Sequence, residues 1–162
     1  MAIPTSCIIL LSGVPATGKT SFGRFLARTQ DFAHYDLEGH PRGWPYPELK
    51  QTWDESPVLF VSELRRRHPR VALDWGFPVH CRPIVSLLQG EGVRLIWFDG
   101  DRSEARRVFE ARGGIALSKF EGQIADIQRA DFPRTLECQV IATLSAGGAF
   151  LESASIESTV FP

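Results

Sequence analysis

The stretch Gly13-Val14-Pro15-Ala16-Thr17-Gly18-Lys19-Thr20, GVPATGKT, decides the reading of this chain. It has the spacing G-x-x-x-x-G-K-[ST] of a phosphate-binding P-loop. Before it runs CIILLS, Cys7–Ser12, an apolar run of buried-strand length. After it, in TSFGRFLART, Phe22, Phe25 and Leu26 recur at helical spacing. Strand, glycine loop and helix therefore follow in the order a P-loop needs. Unpaired N–H groups at a helix start favour an anion, and Gly13 and Gly18 let backbone approach a phosphate closely. The loop and the residue after it form the expected nucleotide-binding set: Gly13, Val14, Pro15, Ala16, Thr17, Gly18, Lys19, Thr20 and Ser21. Lys19 is expected to reach the β- and γ-phosphates of ATP, and the Thr20 hydroxyl to ligate Mg²⁺.

Composition bounds the rest. The 162 residues suffice for one domain, 1–162, with a real core. A net charge of −1 supplies no global basic field for nucleic acid. The three cysteines, Cys7, Cys81 and Cys138, are far apart and form no C-x-x-C pair. They read as small core residues in a reducing, cytoplasmic setting and not as a zinc site or disulfide framework. The apolar N-terminus lacks a basic leader region and reads as a strand, not a signal peptide. No run of 18 apolar residues is present to span a membrane.

Four further strand-like runs follow: Phe32–Asp36, Arg70–Trp75, Arg94–Gly100 and Cys138–Leu144. Helical patterns alternate with them. Ser56 caps and Pro57 opens one helix, with a stripe of Leu59, Phe60 and Leu64. Pro78 opens another, with Ile84, Val85, Leu87 and Leu88 inward. Ser103 is expected to cap a helix that Gly113-Gly114 stops, and Ser118 to begin the next. A last helix is expected over Ser155–Val160. The segment Glu38–Glu55 reads as one long connection, either a binding loop or a surface loop pinned by Trp44 and Trp53. This alternation predicts an α/β fold: a parallel sheet with helices on both faces. Ligands then gather beyond the carboxyl ends of the strands, where Asp36, Asp74 and Asp99 stand.

Asp74 ends the apolar strand VALD and is the expected second Mg²⁺ ligand; the alternative is a turn or cap aspartate. Asp36 is a candidate general base or substrate ligand; alternatively it starts a turn or pairs with Arg42. Glu38, His40 and His34 are nearby polar groups, each read as solvated or structural. The arginine-rich run Arg102–Arg112 suits a spread of phosphoryl charge or an adenine face; the alternative is a salt-bridged, solvated helix. Arg82 is a candidate substrate contact.

Together, GVPATGKTS, LDWGF, IWFDGDRSEARRVFEARGG and VIATLSAGGAFLESASIESTV resemble the small P-loop kinases. That group contains shikimate and gluconate kinases, chloramphenicol phosphotransferase, zeta-toxin kinases and the polynucleotide kinase domain. The resemblance implies a three-layer P-loop fold with a five-stranded parallel sheet in the order 2-3-1-4-5 and a short helical lid, approximately 112–133. It implies ATP as donor, Mg²⁺, and γ-phosphoryl transfer to a small-molecule hydroxyl. By position, Asp36 matches the second-strand acid, and Arg106 and Arg112 match the lid arginines. Arg106 then serves both catalysis and nucleotide binding. The loop Ser145–Gly148 matches an adenine contact. Two other readings stand beside it: a nucleotide switch or ATPase with a protein partner, and a polynucleotide end kinase. Trp75, directly after Asp74, disfavours the hydrolytic ATPase, which wants a glutamate there.

Overall fold

The apolar run before the glycine loop becomes β1 (Cys7–Gly13), and the other strands are arranged about it. The computed structural model describes residues 2–38 and 41–162. Gly39 and His40 therefore lie outside the described residues. Along the chain β1 is followed by α1 (Lys19–Thr29), β2 (Ala33–Asp36), α2 (Leu49–Glu55) and α3 (Pro57–Arg67). Next come β3 (Arg70–Asp74), a 3-10 turn (Val79–Cys81), α4 (Arg82–Gly90) and β4 (Arg94–Gly100). The chain continues through α5 (Arg102–Arg112), α6 (Leu117–Arg129), β5 (Gln139–Leu144) and α7 (Ser153–Val160). All strand pairs are parallel, and the sheet order is β2-β3-β1-β4-β5, the order implied by the resemblance.

β1 sits mid-sheet, covered on both faces, so its run has no polar side to spare. Ile8 and Leu10 point into a core with Phe60 and Leu64 of α3 and Val85 and Leu88 of α4. Ile9 and Leu11 point the other way, against Phe22 and Leu26 of α1 and Ile156 and Val160 of α7. The alternation follows from the period of two along a strand. No helix among the described residues is long and apolar enough to cross a membrane.

Several local expectations hold. The Ser56 hydroxyl accepts from the Leu59 N–H, and Pro57 occupies the first turn of α3. Ser56→Ala should lower stability by about 1 kcal/mol, read as a fall in melting temperature. Gly113, at φ 64°, ends α5. Others shift. Leu59 and Leu87 are exposed, whereas Val61 is buried, because the helix–sheet contact selects a different phase of each stripe. Asp101, not Ser103, caps α5: its side chain accepts from the Glu104 N–H at 2.9 Å. The helix after Pro78 starts only after the 3-10 turn.

α2 was not apparent in the sequence. It forms at the end of the expected long connection because Leu49 is buried there and Trp53 packs edge-on against Phe60 and Trp75 at ring separations of 5.3 Å. For so short a helix, tertiary packing and not intrinsic propensity supplies the stability. Trp44 is also buried, and its indole N–H donates to the Asp36 carbonyl at 2.7 Å. A third apolar cluster joins Val14 of the loop to Ala105 of α5, Phe120 of α6 and Leu144 of β5. The Phe109 and Phe120 rings lie 5.3 Å apart within it. The α5–α6 pair is thus packed against the glycine loop.

Candidate active site

The loop between β1 and α1 is shaped by three residues with positive φ: Gly13 (126°), Ala16 (62°) and Gly18 (93°). Only at Ala16 does a side chain bear that strain. Hydrogen bonds from within hold the turn. The Thr17 hydroxyl donates to the Val14 carbonyl at 2.7 Å, and Lys19 Nζ donates to the same carbonyl at 2.9 Å. From β5, the Thr143 hydroxyl donates to the Thr17 carbonyl at 2.7 Å. The first N–H groups of α1 have no intrahelical acceptor and face an anion site.

Above the loop lies a cavity of about 420 Å³. Gly13, Pro15, Ala16, Gly18, Lys19, Thr20 and Ser21 form its floor. Glu38, Asp74 and Gly76 form one wall, and Phe109, Arg112, Ile115, Lys119 and Gln123 of the lid region close it. Val14 and Thr17, by contrast, are buried beneath the floor and support the loop from behind.

Charge is concentrated in this cavity. Burial pushes the Lys19 ammonium below its usual range; Glu38 and Asp74 pull it back up, and Arg112 pushes it further down. Asp74 is 2% exposed, and its Oδ2 accepts from the Thr20 hydroxyl. His34 Nε2 lies 3.6 Å from the same oxygen. Glu38 accepts from the Gly76 N–H. Burial of the Glu38 carboxyl raises its pKa, against the lowering effect of Lys19. The residue as a whole remains exposed, so the shift reflects the carboxyl end packed at the cavity wall rather than the whole side chain. Hydroxyl and carboxylate oxygens at Thr20 and Asp74 are the hard donors that Mg²⁺ takes. No cluster of three or more His, Cys, Asp or Glu suited to a metal occurs among the described residues.

The expected site residues divide. Lys19, Thr20, Asp74 and Arg112 meet in the cavity. Arg106 does not line it: it pairs with Glu121 at 3.2 Å on the outer side of the α5–α6 pair. Arg82 donates to the Thr135 carbonyl at 2.6 Å and lies 6.0 Å over the Phe132 ring, tying α4 to the segment after α6. Arg102 pairs with Asp99 at 2.6 Å. Asp36 stands in register with Asp74, but it lines a neighbouring cavity of about 360 Å³ with Arg24, His34 and Arg42. One of its oxygens accepts from the Glu38 N–H at 3.0 Å. The turn Ser145–Gly148 is closed by the Gly148 N–H donating to the Ser145 carbonyl at 3.0 Å. Beyond the turn, the half-exposed Phe150 ring faces Gly18.

Sequence reasoning passed over Glu38 as a carboxylate of the cavity. A signal was present: Asp36-x-Glu38 puts two acids two residues apart at a strand end, and DWGF supplies a glycine opposite. A Cβ on residue 76 would overlap the Glu38 carboxylate oxygen as it stands, so the end of that side chain would have to shift. Gly76→Ala should displace Glu38. The expected result is a tenfold or greater fall in turnover, about 1.4 kcal/mol or more, with nucleotide affinity preserved.

No protein-family model matches the chain, and no curated protein matches it by sequence. Solved structures do match. A shikimate kinase from Acinetobacter baumannii in complex with shikimate is 16% identical, with TM-score 0.60, covering 96% of this chain and 93% of that one. A gluconokinase from Sinorhizobium meliloti 1021 is 15% identical, with TM-score 0.56, covering 95% and 89%. The tunicamycin resistance protein of Deinococcus radiodurans is 10% identical, with TM-score 0.56, covering 96% and 93%. At these identities the shared property is the fold, a three-layer α/β arrangement about a parallel sheet.

Proposed function

We propose that the protein is an Mg²⁺-dependent kinase of the cytoplasm that transfers the γ-phosphoryl group of ATP to a hydroxyl of a small molecule. One observation carries the reading: a single cavity joins the P-loop, the Thr20–Asp74 oxygen pair and a Glu38 carboxylate, under a lid that bears Arg112 and Lys119. When bound, ATP supplies the phosphoryl group and Mg²⁺ offsets its charge. Loop amides and Lys19 hold the phosphates, and Thr20 and Asp74 hold the cation. Arg112 and Lys119 balance charge spreading over the transferred group. Glu38 accepts the proton of the attacking hydroxyl, a role that needs an ionised carboxylate within hydrogen-bond reach. Phe109 and Ile115 supply the apolar part of the cavity wall. A shikimate kinase and a gluconokinase share this fold, which supports the reading.

The hydrolytic switch is less well supported. Trp75 follows Asp74 and packs at right angles to Trp53, where a hydrolytic ATPase would need a glutamate to orient water. The test is ADP release across a panel of hydroxyl compounds: sugars, hydroxy acids, antibiotics, nucleosides and RNA ends. Release stimulated by one acceptor, with equal phosphorylation of that acceptor, is the expected result. ADP release that no acceptor alters would overturn the reading in favour of hydrolysis.

A further inference from the structure

His34 lies on β2 in register with Ala72, two residues before the Asp36–Asp74 pair. Along the pleat it shares a face with Asp36, while Tyr35 is buried on the opposite side. Its Nε2 is buried and has no hydrogen-bond partner. On one side this nitrogen faces Asp74 Oδ2 at 3.6 Å. On the other the ring meets α1 at Gly23, where an added Cβ would come within 2.5 Å of Nε2 and 2.6 Å of Cδ2. A glycine inside a helix is costly, and here its effect is to make room for the imidazole edge. The ring is thus wedged between the helix that starts at the P-loop and the carboxylate that ends β3.

A nitrogen lone pair aimed at an ionised carboxylate is repelled, whereas an N–H is attracted. The ring nitrogen that faces Asp74 therefore carries a proton. Thr20 already donates to Oδ2, and His34 Nε2 lies 3.6 Å from the same oxygen, longer than a hydrogen bond but close enough for its N–H to attract the carboxylate. No described group donates to Oδ1. One donated bond and one nearby N–H on the same oxygen bias the rotation of the carboxylate and leave the other oxygen for a cation. Metal ligands are commonly oriented by donors behind them in this way.

We infer that His34 is a positioning residue that holds the Asp74 carboxylate in the orientation needed to bind Mg²⁺. The inference rests on the metal role proposed above for Thr20 and Asp74. It says that Mg²⁺-dependent nucleotide affinity, and not nucleotide affinity as such, depends on the imidazole N–H.

The test is calorimetric titration of the intact protein with ATP, once in EDTA and once across a range of Mg²⁺. His34→Leu removes the donor at similar volume; His34→Gln keeps an N–H donor. Both variants should bind metal-free ATP within about twofold of wild type. In His34→Leu the Mg²⁺ concentration for half-maximal tightening should rise by about tenfold, and His34→Gln should recover most of that loss. Gly23→Ala, which crowds the ring without touching a phosphate contact, should show the same metal-specific defect. A wild-type Mg²⁺ requirement in His34→Leu overturns the inference. Equal loss with and without metal also overturns it, since that is the mark of a purely structural residue. If wild type itself gains no affinity from Mg²⁺, the metal role of Thr20 and Asp74 falls and the inference falls with it. Metal dependence in wild type with indifference at residue 34 removes His34 alone.

Discussion

Replacing Lys19 with methionine should lower ATP affinity by about 100-fold and turnover by about 10³-fold or more. The side chain is buried, and its ammonium donates to the Val14 carbonyl at 2.9 Å. That carbonyl keeps a second donor in the Thr17 hydroxyl, so the loop does not lose its internal tie. Desolvation already acts against the charge of Lys19, as the downward shift of its pKa shows. Methionine fills the space without that cost. The melting temperature should therefore be unchanged or higher while binding is lost. Unaltered ATP affinity in the folded variant would remove the P-loop from the proposed mechanism.

The second large effect is expected at Glu38. Glu38→Gln should lower kcat by about 10² to 10⁴-fold and leave ATP affinity within about twofold. Catalysis needs the ionised carboxylate, and burial raises its pKa. Below that raised pKa Glu38 is protonated and turnover falls; above it turnover reaches a plateau. The acid limb of the rate profile should accordingly lie higher than for an ordinary glutamate, and it should vanish in Glu38→Gln. Asp36→Asn supplies the contrast. Its carboxylate faces the neighbouring cavity and already accepts the Glu38 N–H, so its loss should be the smaller of the two. An equal or larger loss at Asp36, with a retained acid limb in Glu38→Gln, would return the proton-accepting role to Asp36.

These two carboxylates show what a sequence can carry and where it stops. Asp36 ends β2 at the carboxyl edge of the sheet, where ligands gather in open α/β folds, and it stands in register with Asp74. Which acid enters the P-loop cavity depends on the path of the chain after the strand. Trp44 pins that path through the Asp36 carbonyl, and the Glu38 carboxylate docks on the backbone of Gly76, 38 residues away. No local pattern encodes a contact of that separation. The arginines of α5 divide for a similar reason. Arg106 and Arg112 lie six residues apart on one helix. At 3.6 residues per turn they differ by about 240° around its axis, so one packed lid cannot present both to the same cavity. The Phe109–Phe120 contact sets the lid so that Arg112 faces inward and Arg106 meets Glu121.

By itself the sequence determined the parts whose physics is local. GVPATGKT must turn sharply and present amides, CIILLS must be buried on both faces, and VALD must end in a carboxylate beside β1. Parallel pairing of such strands leaves few sheet orders, and the one observed is the one that the resemblance to the small P-loop kinases implies. Only the tertiary structure decided which groups share a cavity. Glu38, Arg112 and His34 acquire their surroundings from contacts between elements distant in the chain. Side-chain direction there is set by packing between layers, which neither composition nor periodicity records.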